Sequence, residues 1–138
     1  MPDELTTVEV EEQVADTPVF NPDSILDSVK KDLGIKFDYI NFDPDIIMGI
    51  NTAFSVLTQL GVGPKAGFSI TDRSTEWSEY LLNDPRLNMV KTYVAKKTKL
   101  FFDPPTNGPL SEAFNKTLNE LEWRINVAVD PEEENNNG

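Results

Sequence analysis

Apolar residues recur every three or four positions in four stretches of the chain, and this spacing is typical of one face of an α-helix. The helix over residues 44–60 is apolar around much of its circumference, so we expect it at the centre of the core. The sequence therefore predicts an all-α fold, a small bundle of four longer helices and one short helix. The longer helices are predicted over residues 22–33, 44–60, 85–102 and 110–127, and the short one ends at residue 82.

Each predicted helix has one apolar stripe, and together the stripes define the expected core. Phe68 and Ile70 lie between helices and fit either a short strand or a plug that fills the core. The stripes comprise Ile25, Leu26, Val29 and Leu33; Ile46, Ile50, Phe54 and Leu57; Trp77, Tyr80 and Leu81; Leu87, Val90, Val94 and Phe101; and Leu110, Phe114, Leu118, Leu121 and Ile125.

Helix boundaries have recognisable residues. An Asn or Asp side chain caps a helix by accepting a backbone N–H, and proline suits the first helical position because its missing N–H would have no partner there. Gly34 and Gly61 follow the first two helices and fit the position just past a helix end. Asp72 or Ser74 is expected to cap the short helix. Three expected starts are Asn21-Pro22, Asp43-Pro44 and Asp84-Pro85.

The charge is concentrated at the two ends of the chain. Formal net charge is −12, yet residues 1–20 contain six acidic and no basic side chains, and residues 130–138 contain four and none. The intervening stretch has 14 acidic and 12 basic residues, so it is nearly neutral. Acidic ends are typical of disordered or interaction segments. We therefore expect an extended acidic N-terminal arm (1–20), a helical domain (21–128) and an extended acidic C-terminal tail (129–138).

The residue types present exclude several kinds of chemistry. The chain has no cysteine and no histidine, which rules out disulfides, thiol nucleophiles, Cys/His zinc sites and Ser-His-Asp triads. Asp43 is better explained as a cap than as one of a catalytic acid pair with Asp45. Glu120 and Glu122 are two positions apart on a helix and point to different sides. We predict no catalytic, cofactor or metal site and no enzymatic activity.

Membrane association and export are also not expected. No run approaches the roughly 18 apolar residues of a membrane span. The first charged residues are acidic, whereas a signal peptide begins with basic ones. The sequence predicts a soluble protein without a targeting signal or a membrane partner.

Two surface features are candidates for binding. Trp123 lies about 180° from the mean direction of its helix's apolar stripe, so either another part of the chain covers it or it is a protein–protein contact. Lys96, Lys97 and Lys99 form a basic cluster near the end of the fourth helix. This cluster is either a solvated face that suits the helix C-terminus or a docking surface for an acidic partner, such as the acidic arm of a neighbouring copy.

Five segments in this order resemble the small head-to-tail connector (adaptor) proteins of long-tailed bacteriophages, over residues 22–128. Residues 1–20 lie outside this pattern, so a role for the acidic arm does not follow from it. The segments are Leu60-Gly61-Val62-Gly63-Pro64, Phe68-Ser69-Ile70-Thr71-Asp72 leading to Trp77, Val90-Lys91-Thr92-Tyr93-Val94, Lys99-Leu100-Phe101-Phe102-Asp103-Pro104-Pro105 and Glu120-Leu121-Glu122-Trp123-Arg124-Ile125-Asn126.

The resemblance implies a structural virion protein of the phage neck. Such proteins are helical bundles that form a ring, commonly of twelve copies, which docks on the portal, meets the next neck or tail-completion protein and lets double-stranded DNA pass. Their C-terminal segments often reach onto the portal, and they are made in the host cytoplasm. On this basis we expect Lys96, Lys97 and Lys99 to contact a neighbouring copy. The expected portal or neighbour contacts are Trp123, Arg124, Asn126, Val127, Ala128, Val129 and Asp130, with the tail continuing to Glu134.

A second hypothesis comes from the charge alone. An acidic regulator or DNA mimic would occupy a nucleic-acid-binding partner by presenting carboxylates in place of phosphates. A mimic needs those carboxylates on its folded surface, whereas here the acidic excess lies in the two terminal segments. Deleting 1–20 and 130–138 distinguishes the two hypotheses, because only a mimic would still displace DNA from its partner.

Overall fold

The computed structural model describes the backbone of residues 17–137 and the side chains of residues 17–127. Within that range the regular elements are helices, four longer and one short, which confirms the predicted all-α bundle. Residues 1–16 of the acidic arm lie outside the described residues. The helices are α1 (Ile25–Asp32), α2 (Asp43–Gln59), α3 (Trp77–Tyr80), α4 (Leu87–Phe102) and α5 (Gly108–Asn137).

Helices α2 and α4 form the central, antiparallel pair of the bundle. Phe42 meets Phe102 at one end, and further along α2 the backbone of Gly49 lies against Thr98. A Cβ atom on Gly49 would be only 3.1 Å from Cγ2 of Thr98, so glycine sets the closeness of the two helices. The expected central position of α2 is confirmed by its fully buried stripe, Ile46, Ile50, Ala53, Phe54 and Leu57.

The loop between α2 and α3 fills the core instead of forming a strand. Ile70 is buried, and Phe68 packs against Phe54 with ring centroids 5.0 Å apart. The side chain of Asn51 on α2 holds this loop by two hydrogen bonds: it accepts the N–H of Ile70 at 2.8 Å and donates to its carbonyl at 3.0 Å. The amide satisfies two backbone groups that a strand partner would otherwise satisfy.

The expected Asx caps were wrong. The cap of α1 is Ser24, whose hydroxyl accepts the N–H of Asp27, while the Asn21 side chain accepts the N–H of Asp23 in a turn before the helix. Asp43 lies inside α2, where its carboxylate pairs with Lys30. Asp84 accepts the N–H of Arg86 and stands one turn before α4. Asx-Pro also begins turns, and partners distant in sequence decide where the helix starts.

The short helix α3 also begins later than expected. Its N-cap is Glu76, which forms a capping box with Glu79, and neither Asp72 nor Ser74 caps it. Asp72 instead accepts the N–H and the hydroxyl of Ser74, closing a tight turn ahead of the helix. These hydrogen bonds lower the pKa of Asp72.

The predicted glycine ends are confirmed. Gly34 has φ +77° and Gly61 has φ +84°, the left-handed region that favours glycine. After α1, Gly34 N–H donates to the Lys31 carbonyl and Ile35 N–H to the Lys30 carbonyl. After α2, Val62 N–H donates to Leu57 in the same way. Both ends are Schellman motifs, which satisfy carbonyls that the helix itself leaves unpaired.

Two predicted core residues are on the surface. Phe101 is 52% and Leu110 is 55% exposed. On α4 the adjacent Phe102 turns inward and packs against Phe42, which leaves Phe101 outside. Leu110 lies in the first turn of α5.

Helix α5 also continues past Val127, its predicted end, to Asn137, so residues 129–137 are helical where an extended tail was expected. Each further residue of an existing helix can add one backbone hydrogen bond, which favours such continuation.

Candidate functional site

Helix α5 presents an exposed tryptophan. Trp123 is 65% exposed, so no other element within residues 17–127 covers it. Val127, one turn later on the same side, is also exposed, and Arg124 is paired with Glu120 at 2.8 Å. An exposed Trp beside an exposed apolar residue is typical of protein–protein contacts. We call Trp123, Arg124 and Val127 the tryptophan face.

The remaining predicted contact residues of α5 lie at or past the end of the described side chains. Asn126 is half-buried, next to the fully buried Ile125. Ala128, Val129 and Asp130 are part of the α5 backbone, and their side chains lie outside the described range. The predicted contact segment is thus a continuous stretch of helix.

The structure separates the three clustered lysines. Lys96 and Lys99 line a groove between α1 and α4, whereas Lys97 is not among the groove residues. The ammonium of Lys96 lies 5.5 Å from the ring centroid of Phe114, and Lys99 forms an exposed ion pair with Asp103 at 3.3 Å. Side chains at adjacent helix positions point about 100° apart, which explains why Lys97 does not line the groove with Lys96.

A third surface was not predicted from the sequence. Tyr39, Ile40, Phe42 and Phe101 are 41–67% exposed where α2 begins and α4 ends, and we call these four residues the aromatic end. The rings of Tyr39 and Phe42 are 5.5 Å apart. The sequence did contain a signal: three of the four residues in Tyr39-Ile40-Asn41-Phe42 have large apolar side chains, yet the run belongs to neither neighbouring helical stripe.

A buried lysine fixes the backbone of the aromatic end. Lys30 of α1 is fully buried, and its ammonium donates to the carbonyls of Phe37 at 2.8 Å and Tyr39 at 2.7 Å. The same ammonium lies 2.7 Å from the Asp43 carboxylate. The loop between α1 and α2 is therefore held at three points by one side chain, which gives the exposed rings a defined position.

The ionisable groups of the bundle serve packing. Burial raises the pKa of Tyr93, whose hydroxyl donates to Glu122 at 3.1 Å between α4 and α5. Burial likewise raises the pKa of Tyr80, which donates to the Val62 carbonyl. Both hydroxyls stay protonated near neutral pH, so they act as hydrogen-bond donors.

Among the described residues there is no cluster of three or more acidic side chains that could hold a metal ion.

The family model for the phage connector protein matches residues 25–132, from the first residue of α1 into the last part of α5. The chain belongs to the phage connector protein family. The resemblance seen in the sequence is thereby confirmed, and the connector role places this protein in the neck of the virion. The match leaves residues 1–24 outside it, including the acidic arm. Neither a curated protein nor a solved structure matches this connector.

The described helices of the connector give no sign of a bilayer segment. In the part of the chain that the structure describes, none combines the length and apolar character needed to cross a membrane.

Proposed function

We propose that this connector forms a ring that docks on the portal and joins the capsid to the next neck or tail-completion protein. Twelve copies, the number common in such rings, is the expected stoichiometry. Its role is structural and not enzymatic, and it assembles in the host cytoplasm. The observation that carries this proposal is Trp123, whose side chain is 65% exposed on a long helix and is not covered by any other element within residues 17–127.

A ring requires two different patches on each copy, because its contacts run head to tail. We assign one to the lysines of α4, with Lys96 and Lys99 in the groove and Lys97 on the adjoining side of the helix, and expect it to meet a neighbouring copy. The tryptophan face with the rest of α5, from Asn126 through Ala128, Val129 and Asp130, meets the portal or a neighbour. The two patches lie on different helices, α4 and α5, which supports their use toward different partners.

Double-stranded DNA passes through this ring without sequence-specific binding. The acidic terminal segments support this, because carboxylates that face the lumen would repel DNA phosphates and let the duplex slide.

Mass measurement of the purified protein, alone and with the portal protein, tests the assembly. We expect ring-sized species with the portal, and their loss in a Trp123→Ala variant. Leu82→Ala is the matched control, because Leu82 is 71% exposed but lies outside both assigned patches. If the Trp123→Ala and Leu82→Ala proteins assemble equally well, Trp123 is not part of the portal contact.

Electron microscopy of particles made without this protein tests the neck role itself. We expect filled heads and separate tails, since no connector would join them. Filled heads that already carry normal tails would contradict the proposed function.

A further inference from the structure

A groove lined by lysines runs between α1 and α4. It consists of two adjoining hollows of about 230 and 360 Å³ that share Asp32. The first hollow takes Lys91 from α4, and the second takes residues from Thr92 to Lys99, so the two meet at Asp32 and the second extends toward the C-terminal end of α4. We call this the lysine groove, after its four basic residues, Lys31, Lys91, Lys96 and Lys99.

The positive charge of the lysine groove is largely uncompensated. Lys31, Lys91 and Lys96 place their ammonium groups over the rings of Phe20, Trp77 and Phe114, at 5.6, 5.8 and 5.5 Å from the centroids. Within residues 17–127, Lys99 is the groove lysine that pairs with a carboxylate, Asp103, and that pair is solvent-exposed. Asp32 is the acidic lining residue. Four ammonium groups thus face two carboxylates, those of Asp32 and Asp103, and this excess of positive charge favours an acidic occupant.

The chain enters the bundle at the first hollow of the lysine groove. Phe20 lines that hollow and packs edge-on against Phe37, with centroids 6.1 Å apart. The guanidinium of Arg73 donates to the Val19 carbonyl, and the N–H of Asn21 donates to Asp27. Residues 19–21 are thus anchored, so the segment 1–16 ends four residues before Phe20, whose side chain lines the groove.

The segment before this anchor has the matching chemistry and the necessary length. Residues 1–16 contain six acidic side chains and no basic one, with Val8, Val10 and Val14 interspersed. Sixteen extended residues reach roughly 50 Å. The distance along α4 from Lys91 to Lys99 is about 12 Å. The segment can therefore follow the groove along α4 with many residues to spare.

We propose that the acidic segment 1–16 binds in the lysine groove of its own chain in the free subunit. Its carboxylates pair with Lys31, Lys91, Lys96 and Lys99, and its valines contact the apolar walls. This proposal concerns the free subunit and does not depend on ring formation. Lys96 and Lys99 are then covered before assembly, and a neighbouring copy has to displace the segment to reach them.

Cysteine cross-linking tests this directly, because the chain has no cysteine of its own. Val10→Cys places a thiol in the segment, and Thr92→Cys places one in the groove. The control pair is Val10→Cys with Ser55→Cys, because Ser55 is an exposed position on α2 outside the groove. In dilute protein we expect the disulfide between Val10→Cys and Thr92→Cys to form within the monomer about tenfold faster than the disulfide of the control pair. In 1 M salt the advantage should disappear, since the screening length falls to about 3 Å.

Charge variants separate groove binding from general attraction. Adding Lys96→Gln and Lys99→Gln to the Val10→Cys, Thr92→Cys pair should slow disulfide formation to the Ser55→Cys rate. Lys65→Gln with Lys116→Gln removes the same charge outside the groove and should leave the rate unchanged. Equal rates for Thr92→Cys and Ser55→Cys would overturn the proposal and leave the groove to an acidic partner from outside the chain. Disulfides found only in dimers would overturn it in favour of the arm of a second copy.

Discussion

The ammonium of Lys30 lies 2.7 Å from Oδ1 of Asp43, with the lysine fully buried and the aspartate side chain 22% exposed. This ion pair joins α1 to the first turn of α2 across the loop that carries Tyr39. The same ammonium binds two carbonyls of that loop. A buried charge is tolerated only when it is paired and hydrogen-bonded, and these three partners meet that condition.

Replacing this lysine should destabilise the bundle strongly. In Lys30→Met the apolar stem keeps its packing, but the Asp43 carboxylate loses its ion-pair partner and the carbonyls of Phe37 and Tyr39 lose their hydrogen-bond donor. We expect the free energy of unfolding in urea to fall by about 3 kcal/mol. Adding Asp43→Asn should recover part of this loss, because the uncompensated charge is then gone. Lys65→Met, at an exposed loop position, should change stability little. A loss in Lys30→Met no larger than in Lys65→Met would contradict the structural role assigned to Lys30.

The close approach of α2 and α4 makes Gly49 sensitive to a single methyl group. In Gly49→Ala the new Cβ would lie 3.1 Å from Cγ2 and 3.3 Å from Cα of Thr98. We expect thermal or urea unfolding to show a loss of about 1–2 kcal/mol, because the helices must move apart. Ser55→Ala, on the exposed side of α2, should be neutral or slightly stabilising. Thr98→Ser removes Cγ2 and should partly restore the stability lost in Gly49→Ala. A Gly49→Ala protein as stable as Ser55→Ala would show that α2 and α4 are not in contact at Gly49.

The two tryptophans should report separately in fluorescence. Trp77 is 3% exposed and donates its indole N–H to the Ser28 hydroxyl at 2.9 Å, whereas Trp123 is 65% exposed. In the free subunit, Trp123→Phe should leave a blue-shifted emission that acrylamide quenches several-fold less than in the parent. Trp77→Phe should retain red-shifted, readily quenched emission. Strong quenching of the Trp123→Phe protein would mean that Trp77 is accessible to solvent.

Stability should depend on pH through Asp84. The hydrogen bonds from Arg86 hold the pKa of Asp84 below its ordinary value in the folded protein. The stabilisation is therefore present above the unfolded-state pKa of about 4 and is lost as the pH falls through the folded-state value. Urea unfolding of Asp84→Asn should lose less stability below pH 4 than the parent does. In Arg86→Gln, an NMR titration should find the pKa of Asp84 closer to its ordinary value, and an unchanged pKa would exclude Arg86 as the cause.

The middles of the helices could be predicted, but their beginnings could not. A stripe of apolar residues at helical spacing, as in Ile46, Ile50 and Phe54, has few alternatives, and the glycine ends use only local backbone geometry. The start of α1 depends on Ser24, whose hydroxyl also donates to the Arg73 carbonyl, 49 residues away. Such a contact has no sign in the local sequence.

Dependence on partners that are distant in sequence also limits the prediction of the candidate binding surfaces. The direction of Trp123, away from its helix's apolar stripe, followed from helix phase, and the structure shows the side chain 65% exposed. Phe101 and Phe102 are adjacent in sequence, and the one that turns inward is the one that packs against Phe42. Phe42 comes at the end of a loop, so the periodicity of the helices does not predict its position. The lysine groove likewise requires α1 beside α4, a pairing that sequence spacing does not specify. The outward direction of one side chain on one helix could therefore be predicted, whereas surfaces made between elements could not.

Helix α5 is attached to the bundle mainly through α4, by Leu118, Ile125 and the Tyr93–Glu122 hydrogen bond. The other helices also pack against α2, around which the largest buried cluster forms. Helix α5 supplies Leu118 and Ile125, two of the seventeen buried residues of that cluster. We therefore expect local opening of α5 to require less free energy than global unfolding. Native-state hydrogen exchange should show amides of α5 exchanging before those of α2 and α4. Exchange in that order would mean that the helix carrying Trp123 can reorient while the rest of the subunit stays folded.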